Sequence, residues 1–326
     1  MFDIITFGSA TRDMIVRPKN LTVLKYNRDY SSNDNICFPL GSKIDLEDIL
    51  FNSGGGGTNT AATFSLQGFK TAFYGSIGQD LAGQEIIKEL KHLKIDTRFV
   101  SMVKDKVTNH SIVILSGNRD RTILAYRGAS EIIDKNGIDF RKLKTKWIYL
   151  APLTGDMCHA FKDIVDFANS KGIKIAVNPG IAQLGLKDIN DILKKVDVLL
   201  LNREEASFLT KVPFDEEKEI FKKIGQMCPG ISVMTKGSEG VVVSDGKYMY
   251  SAKSPLETNV VDTTGAGDSF ASGFVSELVK GKDVESAIQL GMANSQGCLS
   301  EIGAKNGLLK KGQDYKKVEI SKHENT

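Results

Sequence analysis

Two glycine-rich stretches carry side chains able to act on a phosphoryl group. The first is Val261-Asp262-Thr263-Thr264-Gly265-Ala266-Gly267-Asp268-Ser269-Phe270, running into ASGFVSELVKG. Phe270, Phe274 and Leu278 recur every four residues, which predicts a helix starting near Ala266 with one buried stripe. The first turn of a helix has N–H groups without internal acceptors, and its dipole leaves partial positive charge there. Gly265 and Gly267 have no β-carbon to hold a ligand away, so the amides of Ala266, Gly267 and Asp268 can close around an anion. Asp268 reads in two ways: as a helix cap, or as a general base beside a phosphate cradle.

The second stretch is Ser53-Gly54-Gly55-Gly56-Gly57-Thr58-Asn59, again opening a helix. Its glycines allow close backbone approach, and Asn59 offers a donor and an acceptor to hydroxyl groups. The same run also reads as a flexible hinge. No GxxxxGK[ST] occurs, and no GxGxxG follows an N-terminal strand, so neither a P-loop nor a dinucleotide fold is indicated.

The elements that must position these stretches alternate along the chain. Asp3–Phe7, Lys70–Tyr74, Trp147–Ala151, Lys174–Val177, Val196–Leu201 and Ile231–Thr235 are short apolar runs. Helical stretches separate them, including Thr58–Gln67 and Leu81–Leu93. This pattern predicts an α/β fold with a doubly wound, mainly parallel sheet covered on both faces. Inserts at about 14–51 and 97–127 read as strand pairs without helices, so a small antiparallel β-sheet lid over a cleft is expected. The α/β core then spans 1–310, and the charged tail 311–326 is expected to fray.

The chain has 326 residues, with 43 basic and 40 acidic side chains and a net charge of +3. A balance this near neutral argues against nucleic acid as a partner. Cys37, Cys158, Cys228 and Cys298 lie far apart with no CxxC pair, which predicts free thiols. No apolar run approaches a membrane span, and the opening MFDIITFGSATRD lacks a basic n-region. The expected place is the cytoplasm, with no membrane partner.

DTTGAGDSF at 262–270 and GGGGTNTAATFSLQGFKTAFYGSIGQDLAGQ at 54–84 resemble the C-terminal and N-terminal signatures of the PfkB, or ribokinase-like, carbohydrate and nucleoside kinases. The resemblance runs from about Ile4 to Gly307. It implies transfer of the ATP γ-phosphate to a substrate hydroxyl, usually a CH2OH. On the matching positions, Asp268 would be the catalytic base, and Gly265, Ala266, Gly267 and Asp268 the anion hole.

Asn202 and Glu205 in LNREEA resemble the element that places Mg2+ through water, although the same residues read as an ordinary capped helix start. Thr235, Lys236, Gly237, Ser238 and Gly240 resemble the segment along the nucleotide, and Asn294 the helix near the adenine. Asp262 and Thr264 match a monovalent-cation site, implying K+. Asp13, Gly55 and Asn59 match the sugar side, where a carboxylate suits a vicinal diol. Arg127 and Asn109 are further substrate candidates, Arg127 for the carboxylate of a sugar acid. The chain departs from the family's ribose kinases at Gly56, where they carry lysine.

The resemblance also implies pairing of lids across a homodimer. A sugar or sugar-acid kinase is therefore expected, with a nucleoside kinase or a non-catalytic ligand sensor of the same fold as alternatives.

Overall fold

The computed structural model describes residues 1–24, 35–116, 121–132, 137–255 and 260–325. Parts of both expected inserts, at 25–34 and 117–120, lie outside the described residues. The chain opens with β1 (Phe2–Phe7) and leaves the core through β2 (Thr11–Pro18), β3 (Thr22–Leu24), β4 (Asn35–Cys37) and β5 (Leu46–Gly54). It re-enters with α1 (Gly56–Leu66), β6 (Thr71–Gly78), α2 (Leu81–His92) and β7 (Asp96–Val103). A second excursion, β8 (Asn109–Leu115) and β9 (Arg121–Tyr126), precedes β10 (Thr145–Leu150).

Helices α3 (Asp156–His159) and α4 (Phe161–Ser170) lead to β11 (Lys174–Val177), and α5 (Ile181–Leu184) and α6 (Ile189–Leu193) to β12 (Val198–Asn202). Then follow α7 (Arg203–Thr210), α8 (Glu217–Met227), β13 (Ile231–Thr235), β14 (Val241–Ser244) and β15 (Tyr248–Ala252). The chain closes with α9 (Ala266–Val279), α10 (Val284–Leu299) and β16 (Ile320–Glu324).

The main sheet has ten strands in the order β16-β15-β14-β13-β12-β11-β10-β1-β6-β7. From β7 to β13 all neighbours are parallel, and β13 to β16 pair antiparallel. Successive residues of a strand face opposite sides, and the core follows that rule. Ile5, Phe7, Ile148 and Leu150 pack with α4, α6 and α8 on one face, while Ile4 and Tyr149 join Phe64 of α1 and Phe270 and Phe274 of α9 on the other. Burial on both faces explains why these strands are continuous apolar runs in the sequence.

The second sheet, β5-β2-β8-β9, is the smaller sheet expected from the inserts, with two corrections. Its central pair β2–β8 is parallel, the others antiparallel. Residues 96–103, partly assigned to the lid from sequence, form β7 at the edge of the main sheet. The tail also differs from expectation: Ile320–Glu324 pair with Ala252–Tyr248 as the edge strand, and Ile320 packs on the core. All four cysteines are free thiols. Among the described residues no helix is long and apolar enough to cross a membrane.

Because β16 covers the edge of β15, deleting residues 317–325 bares that ladder and removes the Ile320 contact. The expected result is a fall in thermal midpoint of roughly 3 °C or more by calorimetry; an unchanged midpoint shows that the strand adds no stability.

Candidate active site

The site forms where two helices begin above the carboxyl ends of β1 and β10, the edge at which open α/β sheets bind ligands. Gly8, just past β1, packs so closely that a Cβ there would stand 2.8 Å from the Gly57 nitrogen. A Cβ on Gly56 would be 3.1 Å from Ala151, just past β10, and 3.5 Å from Asp268 Oδ1. The glycine run therefore lays the start of α1 on the sheet and against the start of α9.

Asp268 lies in the first turn of α9, and its Oδ2 accepts a 2.8 Å hydrogen bond from Asn59 Nδ2 of α1. The other end of that amide, Asn59 Oδ1, is buried and has no partner among the described residues. Burial pushes the Asp268 carboxyl above its ordinary range, against the Asn59 hydrogen bond and the charge of Lys305. Burial likewise raises Asp13, which is 7% exposed on β2 and opposite Asn52 and Ser111 in the lid. A Cβ on Gly54 would fall 2.2 Å from Asp13 Oδ2, so glycine is what leaves room for this carboxylate.

The anion-hole glycines divide the work. Gly265 has φ of 77° and a Cβ there would be 2.4 Å from Ala304 Cβ, so backbone geometry demands it. Gly267 faces open space within 4 Å. It borders a cleft of about 710 Å³, walled also by Asn202, Thr235, Lys236, Gly237, Ser238, Gly240 and Ala266. All of these but Ala266, expected in the anion hole, are residues expected at the nucleotide.

Asn294 is not among them. It is fully buried, its Nδ2 donates to Thr63 Oγ1 and the Ser269 carbonyl, and its Oδ1 accepts from Leu309 N. It pins α10 to α1 and α9, while Met292, Ser295, Gln296 and Leu299 of the same helix line the cleft. Gln296 Nε2 is buried there without a partner.

Other expected residues are engaged in structure. Asn109 Oδ1 accepts from the amides of Gly128 and Ser130, fixing the turn after β9. Gly55 has φ of 95° and would place a Cβ 2.5 Å from the Ser9 carbonyl, so packing accounts for it. Arg127 is exposed just past β9 and outside the cleft wall. Lys236 lines the cleft but pairs with Glu217 of α8 at 2.9 Å. Asn202 and Glu205 form a reciprocal cap of α7, each side chain accepting from the other's amide at 2.8 Å. The Glu205 carboxyl is nevertheless raised, by burial first, against the Asn202 amide, and by the charges of Glu204 and Asp268.

The oxygens of Asp262 and Thr264 accept hydrogen bonds from within the chain. Asp262 Oδ1 accepts from Thr264 N and Oγ1, its Oδ2 accepts from Gly303 N, and Arg121 of the lid lies 3.8 Å away. The Thr264 carbonyl accepts from Cys298 Sγ. The sequence reading missed Arg121, which reaches the cleft from β9, and Lys305, buried beside Asp13 and Asp268. In the sequence neither is distinguishable from other basic loop residues.

Fold and site together define a phosphotransferase scaffold. The sequence model of the pfkB family carbohydrate kinases matches residues 18–311, and the chain belongs to that family. It is 31% identical over 253 residues to an uncharacterized sugar kinase of Archaeoglobus fulgidus, covering 74% of this chain and 96% of that protein. It is 27% identical over 300 residues to the ribokinase of Haemophilus influenzae, covering 89% and 95%. The structure of Arabidopsis thaliana ribokinase complexed with ribose and ATP superposes with a TM-score of 0.76 at 23% identity, covering 94% of this chain and 96% of that one. The protein is a carbohydrate kinase.

The two glycines give a paired test. Gly265→Ala meets Ala304 and a strained φ, with an expected loss of about 1–3 kcal/mol in denaturant unfolding. Gly267→Ala meets nothing in the fold, so its stability should hold while turnover drops at least tenfold. Equal turnover for wild type and Gly267→Ala would remove the anion hole from the chemistry.

Proposed function

We propose that the chain moves the γ-phosphate of ATP to a hydroxyl, a CH2OH, of a sugar or sugar acid, with Asp268 as general base. The observation that carries this reading is the Asn59–Asp268 pair. A half-buried carboxylate at the tip of α9 is held by an amide whose oxygen has no partner among the described residues. An alcohol entering there can give its hydrogen to Asp268, while a neighbouring hydroxyl donates to Asn59 Oδ1 and others to Asp13.

The nucleotide tail enters from the cleft on the other flank of Gly267, and the amides of Gly265–Asp268 meet the charge that develops on the moving phosphoryl. Removing the alcohol proton as the new P–O bond forms leaves Asp268 protonated and ADP as the leaving group. Burial first, and then the charges of Glu204 and Asp268, raise the Glu205 carboxyl, an oxygen donor that suits hydrated Mg2+. When bound, Mg2+ supplies charge neutralisation for the phosphates. The lid carries Asp13 and Arg121 to the site, so its closure excludes water that would otherwise accept the phosphoryl.

Met14, Val16, Ile49, Phe51, Ile112 and Leu124 share the lid face opposite Asp13, with Phe51 and Leu124 more than half exposed. We assign this face to a homodimer contact, to be read as a dimer mass by light scattering that Phe51→Lys abolishes. Free thiols suit the reducing cytoplasm.

The activity is tested with an ADP-release screen over sugars, sugar acids and nucleosides. Turnover of a sugar or sugar acid is expected; turnover of nucleosides alone overturns the acceptor class. Asp268→Asn should bind ATP as wild type and lose turnover by about 10²–10⁴-fold.

The pH dependence has a fixed sign. The base acts only when ionised, and its folded pKa is raised, so kcat/KM should fall on acidification at a pH above that of a solvated aspartate. The same shift means that ionised Asp268 opposes folding above its folded pKa. Asp268→Asn is accordingly expected to be at least as stable as wild type at neutral pH. A wild-type acid limb that persists unchanged in Asp268→Asn would assign the limb elsewhere.

A further inference from the structure

One buried cation has no part in the chemistry described so far. The side chain of Lys305, in the segment between α10 and β16, is 6% exposed. Its Nζ donates to Ser53 Oγ at 2.5 Å and lies 3.7 Å from Glu89 Oε2, to which Ser53 Oγ itself donates. Ser53 closes lid strand β5 and Glu89 belongs to α2, so one ammonium ties the C-terminal segment to both lid and core. Two residues earlier the same segment supports the anion hole: Gly303 N donates to Asp262, and Ala304 packs against Gly265. Gly303 also abuts Asn52, the ladder partner of Asp13.

Burying an ammonium costs several kcal/mol unless its surroundings compensate. Here burial still lowers the Lys305 ammonium, and carboxylates from three elements, Glu89 of α2, Asp13 of β2 and Asp268 of α9, offset that cost in part. Arg12 and Asp262 act on the same Asp13 with opposite signs. An apolar side chain would fill the space without that cost, so the charge has another use. Asp13 lies on the small sheet and Asp268 on a helix of the core, and only a fixed foot of β5 makes them face one acceptor molecule.

We propose that Lys305 is a positioning residue for the acceptor, locking the foot of β5 to the anion-hole segment so that Asp13 and Asp268 address the same sugar. The proposal rests on the kinase reading above. Lys305→Met keeps the stem and removes the charge. With the acceptor found in the screen, it should raise acceptor KM at least tenfold while ATP KM stays within twofold, and Lys305→Arg should restore part of the loss. Ser53→Ala, which removes only the bridging hydroxyl, should raise acceptor KM severalfold with ATP KM unmoved, and it carries the test if Lys305→Met does not fold. Variants that lose thermal stability yet keep acceptor KM, or that raise both KM values together, overturn the proposal. A wild type silent on every acceptor sinks the kinase reading and this proposal together, whereas an active wild type with unmoved variants sinks this one alone.

Discussion

The structure depends on the meeting of two helix N-termini. Helices α1 and α9 point their positive ends at one spot above the sheet, an arrangement that is unfavourable unless negative charge lies between them. The Asp268 carboxylate supplies part of that charge, held by Asn59 across the gap. A phosphate group would supply the rest. The elements around the junction keep the two helices together: Asn294 binds α10 to both, and Thr6 of β1 donates to the Gly57 carbonyl. Both helices are rich in Ser and Thr yet largely buried, because those hydroxyls donate back to carbonyls of the preceding turn, as Thr58, Thr60, Ser269, Ser272 and Ser276 do.

Much of this was legible in the sequence because it is written in local signals. Apolar runs between helices gave the parallel sheet, and the two glycine stretches gave both helix starts, with α1 opening at Gly56 rather than Thr58. What stayed hidden depends on contacts between distant segments. Lys305 lies 252 residues from its partner Ser53, and nothing near position 305 marks it as buried. The misplacement of Asn294 was avoidable in part. Leu290, Asn294 and Cys298 recur every four residues, and all three are buried on the inward stripe of α10. The residues lining the cleft lie on the flank beside that stripe.

The tail shows a different limit. Ile320–Glu324 is charged and mostly exposed, since an edge strand needs only its backbone to pair and one apolar side chain to pack. Composition gives little warning of such a strand. The Asn202–Glu205 pair makes the converse point: the capped helix start legible in the sequence is present as a reciprocal cap, and Asn202 also lines the cleft.

The way in which the small sheet joins the large one bears on how the enzyme works in time. Thr11, Gly54 and Asn109, where β2, β5 and β8 adjoin the core, stand side by side in a single row of the ladder. A panel attached along one line turns as a door does: its internal rungs travel with it, and only the few torsions at the hinge line change. Such a turn would leave every rung of the small sheet paired and would strain only its contacts with the core, at Ser53 and Asp262.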